Sequence, residues 1–194
     1  MFYYYVDLFS EVKLPWNSNL DDCLKTLDES GFPNIENGPD YVICEHDFDD
    51  YNYEIFLSFP GSAHFTLRSA ILRLRNSQED ISRTKNTIKN FRYAFRKLYK
   101  KFGEPLEIND FDQDEAPVEI LQNLRDENYP EVIWENKETR ILLEIEEADP
   151  YQAVIRHYCQ LPVRAPEKKK SPLDILSLVK DLDIKLDSNK RNPE

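Results

Sequence analysis

The stretch "FRKLYKKFGEP", residues 95–105, decides how the chain is to be divided. Phe95, Leu98 and Phe102 are three and four apart, the stripe of an α-helix, and Gly103 followed by Pro105 is a strong stop. Traced back, the stripe continues through Phe91, Ile88, Thr84 and Ile81, so the spacing predicts one long helix over 81–102. Ser77 with Asp80 three residues on reads as its capping box. Arg83, Lys85, Lys89, Arg92, Arg96, Lys97 and Lys100 fall largely off the stripe, and no carboxylate occurs within 81–102. The helix has an apolar face and a cationic one.

A second stretch ends in the same way. "CLKTLDESGFP", residues 23–33, carries an apolar face of Leu20, Cys23, Leu24 and Leu27, then Gly31 and Pro33 at the same offset. Ser18 or Asn17 is its expected cap. Three alternating runs follow each helix. After the first come "DYVICEHD", "YNYEIFLSF" and "HFTLRSAILRLR"; after the second come "EVIWENK", "TRILLEIEE" and "YQAVIRHYCQL". Tyr53, Ile55, Leu57 and Phe59 recur every second residue, the period of a half-buried strand. Polar links such as "DFDDYN" and "EADP" suit hairpins.

The expected fold is therefore α+β: two tandem modules, each a helix followed by a three-strand antiparallel meander, with the helices packed on sheet. The first module takes residues 1–76, with "FYYYVDLF" as an extra strand or packing arm. The second takes 77–163 and is interrupted by an acidic insertion over 106–130, in which "PVEILQNLRDE" forms a short helix with Pro117 in its first turn. Residues 164–194 form a proline- and lysine-rich mobile linker and a short amphipathic helix. Ser171 caps that helix, and Leu173, Leu176, Val179 and Leu182 line its apolar edge. So short a helix needs a groove to be stable.

The segment "LPWNSNLDDCLKTLDESGFP" is similar to the opening of small α/β modules, a Trp, a capped helix and Gly-x-Pro. The doubled helix-plus-meander resembles the tandem modules of the β-lactamase-inhibitor-protein-like and small outer-membrane lipoprotein group, over residues 14–161. That resemblance implies an architecture and a leaning toward binding other proteins; it assigns no functional residue. Members of the group are typically exported. This chain departs from them in having no basic segment before its apolar "MFYYYVDLF", no lipidation cysteine and no disulfide pattern among Cys23, Cys44 and Cys159. It reads as a cytoplasmic protein with free thiols.

Charge narrows the function. The 194 residues carry a net −12, distributed as −11 over 1–67, +9 over 68–101, −12 over 102–163 and +2 over 164–194. Two strongly acidic blocks leave little room for a broad cationic surface, which argues against a nucleic acid partner. Only four glycines occur, and no two are spaced to cradle a phosphate. His46, His64 and His157 accompany no nucleophile motif, so no catalytic residue is assigned. Glu45, His46, Asp47, Asp49 and Asp50 cluster, but alternation in a strand separates neighbours and no second histidine lies near, so a solvated hairpin tip is expected. Asp110, Asp112 and Asp114 have the first three spacings of a calcium loop, which then fails at Glu115 and Leu121. No metal or cofactor is expected.

What remains is recognition. "DFDDYNYE" and "INDFDQDE" interleave aromatics with carboxylates, as suits a cationic protein surface. The expected partner-binding residues are Asp47, Phe48, Asp49, Asp50 and Tyr51 in the first stretch and Asp110, Phe111, Asp112 and Asp114 in the second. Leu173, Leu176, Val179 and Leu182 of the C-terminal helix complete the set. The favoured function is a non-enzymatic inhibitor or neutraliser of a basic protein, of the immunity, antitoxin or anti-defence kind. The alternative is an adaptor docking on a larger complex through its C-terminal helix. The basic helix then serves as counter-charge to the acidic blocks.

Overall fold

The computed structural model describes residues 5–49, 51–61, 65–75, 83–109, 117–147 and 151–162. Contacts divide the chain after Arg164, and all of these residues belong to the first unit. Its architecture is α+β, built on a large antiparallel sheet with few helices. The sequence period places the main elements. Apolar alternation gives β4 (Tyr41–Phe48), β5 (Tyr51–Ser58) and β6 (Ser69–Arg75), and later β8 (Glu131–Glu135), β9 (Thr139–Glu146) and β10 (Gln152–Cys159). Helical spacing gives α1 (Leu20–Glu29), α2 (Arg83–Phe102) and α3 (Pro117–Arg125).

Four very short strands complete the set. β1 (Tyr5–Asp7) and β2 (Lys13–Pro15) pair in a two-stranded sheet, while β3 (Glu36–Asn37) and β7 (Glu107–Asn109) form the edges of the large one. The order of that sheet is β3-β4-β5-β6-β10-β9-β8-β7, antiparallel throughout. It runs unbroken across the 76/77 boundary, because β6 and β10 pair from Ala153↔Leu74 to Tyr158↔Ser69.

Both long helices end at a glycine with positive φ, 74° at Gly31 and 80° at Gly103, a conformation that a side chain would strain. The two ends close differently. Phe32 N–H donates to Leu27 O and Gly31 N–H to Asp28 O, a Schellman motif in which Phe32 and Leu27 are both buried. Gly103 N–H donates to Tyr99 O alone, the simpler left-handed cap. The start of α1 corrects the expected cap. Asn19, not Ser18 or Asn17, accepts from Asp22 N–H at 2.8 Å, and Asn17 takes a left-handed φ of 64° in the preceding turn. The proposed capping box at Ser77 and Asp80 lies outside the described residues.

Register sorts the sheet into two faces. On the inner face lie Val42, Cys44, Tyr53, Ile55, Leu57, Leu72, Ala153, Ile155, Leu143 and Trp134, all buried. Against them pack Leu27 of α1, Phe91, Phe95 and Leu98 of α2, and Ile120 and Leu124 of α3. Val6, Leu8 and Leu14 of the β1–β2 hairpin join the same core, and Trp16 Nε1 donates to the buried Thr139 Oγ1 at 2.6 Å, fastening the hairpin segment to β9. The anticipated N-terminal arm is thus a strand whose own short partner, β2, follows it.

Candidate protein-binding face

The acidic-aromatic tip of the β4–β5 hairpin is tied down by α2. Asp49 turns at φ 52°, and its Oδ2 accepts from Tyr93 Oη at 2.5 Å and pairs with Lys97 Nζ at 2.6 Å. These partners, Lys97 first, hold its carboxyl below the usual range. Burial, then the bond to Asp49, pushes the Tyr93 phenol far up. Tyr51 stacks on Tyr93 with ring centres 4.0 Å apart, and Lys97 sits over the Phe48 ring at 5.2 Å. Of the residues expected to meet a partner here, Phe48, Asp49 and Tyr51 are thus engaged inside the fold. Asp47 is exposed and accepts from Asn52 Nδ2 at 2.8 Å. Asp50, Asp110, Phe111, Asp112, Asp114, Leu173, Leu176, Val179 and Leu182 lie outside the described residues.

A second polar group lies under α2. Lys101 Nζ pairs with Asp7 Oδ2, and Asp7 Oδ1 accepts from Phe9 N–H at 2.9 Å. Asp7 is 3% exposed and His157, on β10 below, 1%. Neither imidazole nitrogen has a hydrogen-bond partner among the described residues. Burial, reinforced by the Lys101 charge, lowers its pKa to about 3, so the ring is neutral. His46 stacks on Phe32 at 4.5 Å and is also depressed by burial. Burial pushes the Cys23 and Cys44 thiols up to about 12, which makes them poor nucleophiles. Among the described residues no group of three His, Cys, Asp or Glu could hold a metal, and no helix is long and apolar enough to cross a membrane.

The face of the sheet turned away from the core is different. No described helix packs on it. Register lines up Ile43, Phe56, Ile71, Arg156, Leu142 and Ile133 in one row across six strands. Ile43, Phe56, Ile71 and Leu142 are all part-exposed, and Tyr41 stacks on Phe56 at 5.8 Å. None of these side chains belongs to the core cluster.

Beside the apolar row runs a ladder of ion pairs of alternating sign. Arg75 pairs with Glu45 and Glu54, Arg73 with Glu54 and Glu146, and Arg156 with Glu146 and Glu144. Each of the three guanidiniums is held by two carboxylates, so little positive potential is left for a partner to read. Val154, opposite Arg73 and Glu144 in register, is fully buried in the middle of the ladder. Asp47 and Glu131 lie on the same face outside the ladder, and no ion pair forms at either among the described residues. The face combines apolar anchors with an excess of carboxylate.

Sequence reasoning passed over this face because it looked for clustered letters. The available signal was that strands such as "SAILRLR" and "TRILLEIE" put apolar residues on both faces at mid-strand, whereas a solvated face carries polar residues throughout. No family model, curated protein or solved structure matches this chain, so its own geometry must carry the functional argument.

Proposed function

We propose that this chain is a non-enzymatic protein-binding protein, an acidic neutraliser of a basic protein partner, and that it binds through the helix-free face of its sheet. The observation that carries this reading is the row of Ile43, Phe56, Ile71 and Leu142, with Tyr41 on Phe56, beside arginines already held by carboxylates. Large anchors at the centre supply affinity once water is excluded, and carboxylates at the rim steer a cationic partner and set its register.

The strand order supports a reading of two tandem modules. From either edge the sheet runs through a short strand and then a three-strand meander, with a long helix preceding each half in the chain, and the halves meet at β6 and β10. Such an arrangement is the one that the resemblance to the β-lactamase-inhibitor-protein-like group implies, and it widens the continuous face beyond what one module offers. The proposed location is the cytoplasm. The proposed partner is of the toxin or defence type, whose function a broad acidic face would block.

The experiment is affinity purification of the full chain from its native cell at low salt, with mass spectrometry, comparing the native sequence with Phe56→Asp and Ile71→Asp. A basic protein recovered with the native chain and lost from both variants, at unchanged melting temperature, supports the reading. Recovery that is equal from all three rejects it.

A further inference from the structure

Counter-charge explains only part of the basic helix. Lys97 and Lys101 lie along one flank of α2 and are used, by Asp49 and Asp7. The crest of the helix, opposite Phe91 and Leu98, carries Lys89, Arg96 and Lys100. All three are exposed, and none of them forms an ion pair with a described residue. Arg96 and Lys100 are one turn apart, about 6 Å along the axis, and Lys89 lies two turns from Arg96. Like charges one turn apart, as at Arg96 and Lys100, destabilise a helix. Nothing in the fold requires them, and this 20-residue helix contains no carboxylate to offset them. On the adjacent side Tyr99 is 39% exposed, whereas Tyr93, between Lys89 and Arg96, is already engaged by Asp49.

We propose that the crest of α2 is a second binding surface, for an acidic segment of another protein. A helix or strand with carboxylates about 6–7 Å apart on one face matches the turn-by-turn spacing of the cations. Tyr99 supplies an apolar edge for the segment to cover. The surface is one helix wide and is bounded by Asp49 on one flank and Glu104 at the helix end. That width suits a single acidic element. A nucleic acid would have to bring further phosphates against the acidic remainder of a chain carrying net −12, and would gain from too few cations to offset it. The crest points away from the sheet, so the surface stands whether or not the sheet face binds.

The test uses the full chain and a dye-labelled helical peptide with Glu at every fourth position, read by fluorescence anisotropy. A single-stranded RNA and a duplex DNA of matching charge serve as counter-probes. The native chain should bind the peptide at low salt, weaken as salt is raised, and bind neither nucleic acid as tightly. Lys89→Glu with Arg96→Glu and Lys100→Glu should weaken the peptide by about tenfold or more. The matching triple Gln variant, which removes charge without reversing it, should fall between. Phe56→Asp on the sheet should leave peptide binding unchanged, which separates this surface from the other. No peptide binding at low salt, unchanged binding by both triple variants, or tighter binding of either nucleic acid would overturn the proposal.

Discussion

One buried carboxylate and one buried imidazole set the residue-scale chemistry. Lys101 neutralises Asp7, a carboxylate that is 3% exposed, so Lys101→Met leaves an uncompensated charge inside the protein. Breaking a fully buried pair from one side costs about 3–5 kcal/mol, and because Lys101 is a third exposed a urea titration should show a smaller loss. Asp7→Asn together with Lys101→Met should recover much of it, since neither partner then remains charged. His157 carries the pH dependence. Its folded-state pKa of about 3 lies below the ordinary 6.5, so the unfolded chain binds a proton that the folded chain refuses. Its contribution is complete above pH 6.5 and is lost progressively as pH falls toward 3. At pH 4.5 the loss is about 2–3 kcal/mol. His157→Leu should remove that share of the slope between pH 7.5 and 4.5, measured by urea unfolding at each pH. The sloping part that remains belongs to His46, which burial also depresses, and to the carboxylates.

Elements show how far sequence alone reaches. Each of the six long strands follows from apolar alternation, and each long helix from its three-and-four spacing ending at Gly31 or Gly103. These signals are local: a period held over five residues or more, and a residue type demanded by a backbone angle. β2, β3 and β7 escaped because two or three residues hold no period; they exist by hydrogen bonding to a neighbour. The engagement of Asp49 escaped for a related reason, since Tyr93 and Lys97 are more than 40 positions away in sequence. The same geometry refines where counter-charge acts on α2. Replacing Lys97 with Gln should lower the melting temperature slightly at low salt, with added salt removing part of the difference. Replacing Arg96 and Lys100 should not. Gly103→Ala meets no neighbouring atom and should cost only the backbone strain of a positive φ, about 1 kcal/mol, seen as a small drop in melting temperature.

At the scale of the whole molecule, the described helices cover one face of the eight-stranded sheet, and the other is the face proposed here for contact. Fully buried Phe91, Leu72 and Ile155 lie on the first, and truncating Phe91 to Ala should cost about 3–5 kcal/mol. Phe56 and Ile71 lie on the second, part-exposed, and their removal should leave the folded state nearly as stable. The division is legible only once register is known, because a sequence shows which residues alternate but not which phase faces the helices. The charge blocks behave likewise: their totals are plain in the sequence, but the ladder from Glu45 through Arg75, Glu54, Arg73, Glu146 and Arg156 to Glu144 joins five strands that only the sheet order brings together. The claim that this face is the contact surface is tested most directly by placing a photo-crosslinking amino acid at Phe56, and separately at the exposed Asp28 of α1, in the native cell. The account predicts one discrete adduct from position 56, to a protein of basic isoelectric point, that is absent from position 28 and diminished when Ile71 is also changed to Asp. No adduct from position 56, or one to an acidic protein, would contradict it.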